Sequence, residues 1–359
     1  MQSPLFPVRR RQLSRLFSTG VIKAIWKKKV RAGMRKHPIV DAIDHYDYQL
    51  KIGEHAERLS KSLLNGSYYP SEPKRILAEK SRGLCRQLVI PSVDDSIVLQ
   101  CLSDALYQDI RGKEPTNKAF FEPEDHSFRA SGSIFHTPGY GSFKSWLDFQ
   151  SELLRFSKTY SYIIITDIAN YYDCIGYEHL RNIIADLDIG VTEATLDMLV
   201  YVLNGMLWKP DYMPRVERGL PQVNTDAPRI LAHCFLYELD RLLESRCSGD
   251  FARYMDDIDI GANSIAEAKS ILRDMDLSLH TRQVRLNSGK TKILSQLDAA
   301  KHYRTRDNRF LNAVERHIER KMNAGISLAR ERTHLAAGLK TAYNDGRFDS
   351  GNGEKFSSA

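Results

Sequence analysis

The stretch FARYMDDIDIGANS, residues 251–264, sets two adjacent aspartates inside an apolar run. Phe251, Tyr254, Met255, Ile258 and Ile260 favour a half-buried strand or hairpin, whereas Asp256 and Asp257 are poor strand formers. Neighbouring like charges repel, and burying an unpaired carboxylate is costly, so this pair needs a counter-charge. A third acid, Asp167, closes the apolar run SYIIITD, and strand ends far apart in sequence can converge at one edge of a sheet. Three carboxylates meeting there suit hard divalent cations, two Mg2+ with Mn2+ as a substitute, whose remaining positions substrate phosphates complete. Such an ion pair favours in-line phosphoryl transfer by stabilising the attacking and leaving oxygens. Taken singly, each motif also fits a plainer account: a solvated hairpin turn for 256–257, and a strand-end or capping residue for Asp167.

The elements that must position these acids can be read along the chain. Residues 161–166 form a continuous apolar strand, followed by a helix in EHLRNIIADL. GLPQVNTDAPRILAHCFLYELDRLLESR starts as a turn and becomes one helix, capped by Asp226, with Pro228 in its first turn. Ile230, Leu231, Cys234, Phe235, Leu239 and Leu242 line one of its faces. After the 251–264 hairpin, SIAEAKSILRDMDLSLHTRQVRLN reads as a helix and SGKTKIL as a turn and strand. Upstream, residues 40–66 are helix-rich and end at the Asn65-Gly66 and Pro70 turn. RQLVIP reads as a strand stopped by Pro91, and DDSIVLQCLSDALYQDI as a helix capped by Asp94 or Asp95. Residues 113–145 form a long irregular stretch of functional rather than core character. Residues 311–341 alternate apolar and basic positions at helical spacing, and the Gly/Ser-rich tail reads as disordered.

The chain has 359 residues, 42% hydrophobic and 27% charged, which is ordinary for a globular protein of two or three lobes. No apolar run approaches the ~20 residues that span a bilayer, which points away from a membrane. Cys85, Cys101, Cys174, Cys234 and Cys247 are scattered without a CxxC pair. That argues for a reducing, cytoplasmic setting and against zinc. The net charge of +7 is uneven, because the first acid in the chain is Asp41. The arm that contains RRRQLSRLF and IWKKKVRAGMRK fits a phosphate-binding surface, a transit peptide or a solvated face equally well.

YMDD flanked by apolar residues, with TDIANYYD and GLPQ upstream and LNSGKTKI downstream, resembles the reverse transcriptases. KSRGLCRQLVIP resembles the fingers segment of group II intron and other bacterial members, and LLNGSYYP the region before it; together these cover residues 55–297. The resemblance implies an α+β right-hand polymerase with an antiparallel palm sheet, helix-rich fingers and a short helical thumb. The corresponding boundaries are a basic extension at 1–54, fingers at 55–158, palm at 159–299, thumb at 300–345 and a tail at 346–359.

It further implies that Asp167, Asp256 and Asp257, helped by the Ile168 carbonyl, hold the metals, and that Lys290 stands near the leaving pyrophosphate. Lys80 and Arg86, with Arg82 as a substitute, match the cations that grip the dNTP triphosphate. Tyr172 matches the aromatic that excludes a 2′-hydroxyl, and Gln222 lies beside the nascent base pair. Arg9, Arg10, Arg11, Lys27, Lys28 and Lys29 in the arm, and Arg316, Arg320 and Lys321 in the thumb, are then phosphate contacts to nucleic acid. One departure stands out: the family usually has Gly after LPQ, and here it is Val223. TDAPRILAH instead resembles the abortive-infection and other defence-associated members, with retron enzymes more distant.

The expected partners are therefore an RNA template or non-coding RNA, a DNA product, dNTPs, and a second copy or another defence protein. The expected activity is RNA-directed DNA synthesis in antiphage defence. No room is left for RNase H, integrase or endonuclease domains. Untemplated or protein-primed synthesis, a retron-type enzyme, and a catalytically silent RNA-binding subunit remain alternatives.

Overall fold

The acid-free N-terminal segment folds into helices in a computed structural model. That model describes residues 6–35, 37, 41–81, 84–121, 143–190, 193–207, 217–223 and 226–303, with scattered residues between 317 and 337. Helices α1 (Phe6–Leu16) and α2 (Thr19–Ile25) lead into a π-helical stretch (Trp26–Val30), then α3 (Arg31–Met34), α4 (Tyr46–Leu50) and α5 (Ile52–Asn65). Ile22, Trp26, Val30 and Met34 are all buried at a strict four-residue spacing. That spacing overshoots a 3.6-residue turn, and the wider π stretch offsets the drift so that the four residues stay on one face. The Trp26 indole donates to Gln49 Oε1 at 2.8 Å, which gives its polar edge a partner inside the packing.

Strands β1 (Lys74–Ser81) and β2 (Leu84–Ile90) form a two-stranded antiparallel hairpin with a bulge between Glu79 and Ser81. Next comes α6 (Val93–Arg111), whose cap differs from the expectation: Ser92 Oγ accepts from Asp95 N at 3.2 Å and donates to Asp95 Oδ2 at 2.7 Å. Ser92 is thus the cap and Asp95 its third-position partner, a reciprocal arrangement that neither aspartate offers alone. Ile97, Val98, Leu99, Leu102, Leu106 and Ile110 are buried around α6, which packs on α2 and on two later helices.

Residues 113–121 run without helix or strand, and α7 (Phe143–Thr159) begins inside the stretch expected to be irregular. The remainder of that stretch, 122–142, lies outside the described residues. The apolar run then becomes β3 (Tyr162–Thr166), followed by α8 (Tyr171–Cys174), α9 (Tyr177–Asp186), α10 (Glu193–Met206), α11 (Asp226–Phe235) and α12 (Tyr237–Cys247). The single helix expected over 226–242 is two, broken at Leu236 (φ −94°, ψ 7°). Asp226 is the first residue of α11 rather than its cap. The predicted apolar face is otherwise intact, with Ile230, Leu231, Cys234, Phe235 and Leu239 buried and Leu242 half-buried.

Strands β4 (Phe251–Tyr254) and β5 (Asp257–Ala262), helix α13 (Ile265–His280) and strand β6 (Lys292–Ser295) complete this unit. The sheet order is β4-β5-β3-β6, antiparallel throughout, with Thr166 opposite Ile258 and Tyr254 opposite Asp257. Gly261 stands opposite Ile163, and the Tyr160 ring lies over it where a side chain would go. The chain divides into this unit (Met1–His126 with Gly139–Leu297) and a second one (Ser127–Pro138 with Asp298–Ala359). In the second unit the described residues include the end of α14 (Gln296–Tyr303) and helical residues between 317 and 337. The rest of the expected thumb and the tail lie outside the described residues.

Candidate active site

The hairpin between β4 and β5 turns on two residues, Met255 and Asp256, and Met255 takes φ 56°. A positive φ at the first turn position matches the right-handed twist of the strands but is a position usually given to Gly. Asp256 therefore sits at the apex and Asp257 opens β5. On the neighbouring strand Asp167 follows Thr166, whose cross-strand partner is Ile258, so the register carries all three acids to one end of the sheet.

A second loop pins Asp167 from the other side. Asn287 N donates to Asp167 O at 2.8 Å, Ala169 N donates to Arg285 O at 2.9 Å, and Ile168 bridges Leu286. The following turn is held by Lys290 N to Asn287 O at 3.0 Å and by a 2.7 Å bond between the Thr166 and Thr291 hydroxyls. That turn delivers the Lys290 ammonium onto Asp167 Oδ2. Asp167 is 5% exposed, and its other oxygen, Oδ1, accepts no hydrogen bond among the described residues.

The electrostatics follow this crowding. Burial pushes the Asp256 carboxyl above its ordinary range and the negative charge of Asp167 adds to the rise, while Lys290 and Arg86 oppose it. Burial works against the Lys290 ammonium, but Asp167, then Asp257 and Asp256, outweigh it and hold its pKa above that of an ordinary lysine. Arg86, on β2, also counters the burial-driven rise of Asp173. Arg86 is therefore within electrostatic reach of the acids.

Among the described residues, no three His, Cys, Asp or Glu side chains form a ready cage for an ion. The donors nonetheless fit a divalent cation. They are hard carboxylate oxygens, and one, the buried Asp167 Oδ1, lacks the partner that buried oxygens ordinarily have.

The other expected residues fall into three groups. Near the site, Tyr172 lies on α8 with its carbonyl accepting from Leu220 N at 2.8 Å, and its ring stands edge-on to Tyr171. Gln222 is half-buried, and its carbonyl accepts from Val89 N at 3.0 Å, which ties the LPQ segment to β2. Gly219, at φ 101°, needs its lack of a side chain, and Val223 is buried, so its side chain is part of the core.

On the N-terminal helices Arg10, Arg11, Lys27 and Lys28 are exposed, whereas Lys29 is engaged by Asp104 at 2.8 Å. In the second unit Arg320 is exposed and Lys321 half-buried, both in helical backbone. The side chains of Arg9 and Lys80, and all of Arg82 and Arg316, lie outside the described residues. Sequence reasoning missed Thr291, which brackets Lys290, and Arg253, whose signal was an arginine in a strand with apolar residues on both sides.

A model of the family described as reverse transcriptase (RNA-dependent DNA polymerase) matches residues 77–322. Protein YkfC of Escherichia coli (strain K12) is 24% identical over 225 residues, 60% of this chain and 52% of YkfC. The chain thus spans about half the length of that curated relative. Among solved structures, apo telomerase from Candida tropicalis truncated from its C-terminal domain is 16% identical with a TM-score of 0.40, over 67% of this chain and 55% of that one. Telomerase from the same organism in complex with the TWJ fragment of telomeric RNA is 15% identical with a TM-score of 0.37, over 68% and 45%.

Proposed function

The chain belongs to the reverse transcriptase family, and from that premise we propose that it is an RNA-directed DNA polymerase that extends a 3′ end with dNTPs. The observation that carries this reading is the meeting of Asp167, Asp256, Asp257 and Lys290 at one end of the sheet, with a buried Asp167 oxygen left unbonded. In this reading Asp167, Asp256, Asp257 and the Ile168 carbonyl hold two Mg2+ ions. When bound, those ions supply charge stabilisation to the phosphoryl transfer.

The remaining roles belong to the chain's own groups. Lys290 keeps its proton at neutral pH and offers charge or that proton to the departing pyrophosphate. Arg86, together with Lys80 and Arg82, binds the triphosphate through charge-assisted bonds. Tyr172 closes the sugar 2′ position, and Gln222 borders the nascent base pair. Arg10, Arg11, Lys27 and Lys28 on one unit, and Arg320 and Lys321 on the other, contact backbone phosphates. Val223 and the TDAPRILAH helix start support a finer reading: a defence-associated lineage acting against phage, with a non-coding RNA as template or scaffold.

The test is the Asp256→Ala variant assayed for labelled-dNTP incorporation on a primed RNA. Incorporation should vanish while the circular dichroism spectrum is unchanged, and undiminished synthesis would remove the proposed site.

A further inference from the structure

Arg253 is fully buried in β4, three residues before Asp256. Its Nε donates to Asp240 Oδ1 at 2.7 Å, its Nη2 bonds Asp240 Oδ2, its Nη1 donates to Met255 O at 3.0 Å, and Nη2 also reaches His233 O at 3.4 Å. Its backbone is equally engaged, since Arg253 N donates to Lys118 O at 2.9 Å and Arg253 O accepts from Phe120 N at 2.7 Å. Asp240, on α12, is fully buried as well. One residue thus joins the hairpin strand, the segment along its outer edge, the break between α11 and α12, and the turn that carries Asp256.

Stability alone does not require such a residue. Taking both charges out of water offsets most of their attraction, and an apolar pair of similar volume is often as stable or more so. What an apolar pair cannot do is donate hydrogen bonds to carbonyls. Met255 is buried and held at a positive φ, a conformation that persists in a non-glycine residue only when its surroundings over-determine it. His233 lies in the last turn of α11, and its carbonyl, which accepts from Leu236 N at 3.3 Å, takes a second bond from Arg253 at 3.4 Å beside the break at Leu236. The guanidinium supplies a donor to each carbonyl while its Nε and remaining Nη2 bond hold it in the Asp240 fork.

We infer that Arg253 is a positioning residue: anchored on Asp240, its guanidinium fixes the Met255–Asp256 turn against α12 and so sets where the Asp256 carboxylate stands relative to Asp167. Its kinetic part rests on the polymerase reading, while its structural part does not. The test is Arg253→Met combined with Asp240→Leu, which removes the donors without leaving a buried charge alone. Two measurements are made on the folded variant: amide hydrogen exchange of peptides covering 251–262 in the absence of nucleic acid, and dNTP incorporation kinetics.

Exchange in the hairpin should quicken by about tenfold or more while α6 and α13 peptides stay unchanged. The turnover number should fall about tenfold or more with the KM for dNTP changed less than about threefold, as expected when a reacting group is misplaced and substrate binding is intact. If the double variant does not fold, Arg253→Lys is measured in the same way, since it keeps the charge beside Asp240 but lacks the planar fork. Hairpin exchange or turnover within about twofold of wild type in a folded variant overturns the inference. A wild-type protein without incorporation counts against the polymerase reading instead, and the exchange comparison then still decides whether Arg253 holds the turn.

Discussion

The palm edge and the N-terminal helices handle charge in opposite ways. At the palm edge Asp167 is buried with one oxygen unbonded, Asp256 is pushed toward protonation, and the Arg253–Asp240 pair is wholly out of water. On the N-terminal helices the pairs are partly solvated: Arg31 and Arg35 with Asp44, Lys29 with Asp104, and Arg58 with Asp94. Pairs of that second kind are worth about 1 kcal/mol or less, and salt weakens them. Burying charge is costly, so it persists where placement matters more than stability. Surface charge is cheap to change and serves long-range attraction instead.

That contrast can be pressed with substitutions of decreasing effect. Asp167→Asn keeps the shape of the most buried acid and removes its charge. Incorporation should fall about a thousandfold or more, while thermal unfolding shifts little, because the loss of the ion pair with the half-exposed Lys290 is offset by removing a charge from a buried site. Retained activity would mean that the palm acids act merely as a structural cluster. Lys290→Ala should lower the turnover number by about 10- to 100-fold with a small change in KM, read from single-nucleotide extension rates. Tyr172→Ala should leave dNTP use largely intact but reduce dNTP-over-rNTP discrimination by about tenfold. Unchanged discrimination would show that the ring does not close on the sugar.

The N-terminal helices should respond differently. Replacing Arg10, Arg11, Lys27 and Lys28 with Ala should flatten the dependence of RNA affinity on salt by roughly 0.7–0.9 logarithmic units for each phosphate left without its cation. Lys29→Ala, whose side chain is already paired, should leave that slope unaltered and cost about 1 kcal/mol or less in stability. Equal responses from Lys29 and its neighbours would erase the distinction between the paired lysine and the exposed cations beside it.

That Asp167, Asp256, Asp257 and Lys290 come together at one end of the sheet was legible in the sequence because the signals are local: an acid after an apolar strand, two acids in a strand-like run, and a lysine in an SGKT turn. The fold of the palm followed from the same runs. Other features were hidden for physical reasons. In β1 half-buried and exposed positions alternate over 75–79, but Leu77 stands on the exposed side, so the apolar residues of the sequence do not show that period. The break at Leu236 interrupts a continuous apolar periodicity without a Gly or Pro, and only tertiary packing places it. Ser92 is the cap because α6 begins at Val93, which puts Asp94 and Asp95 inside its first turn; there Asp94 accepts from the Tyr48 hydroxyl at 2.7 Å, and Asp95 from Ser92 Oγ at 2.7 Å and Ser71 N at 3.0 Å. Arg253 stood in plain view within RYMDD, but its role depends on Asp240 thirteen positions earlier, a partner no periodicity reveals.

The Tyr160 ring over Gly261 bears on how this sequence can drift. A glycine inside a strand is weak by itself, and an aromatic laid across it covers the bare backbone. A side chain at 261 would collide with the ring, and a small residue at 160 would leave the strand uncovered. Lineages descending from a common palm should therefore change the two positions together, so bulk gained at 261 accompanies bulk given up at 160.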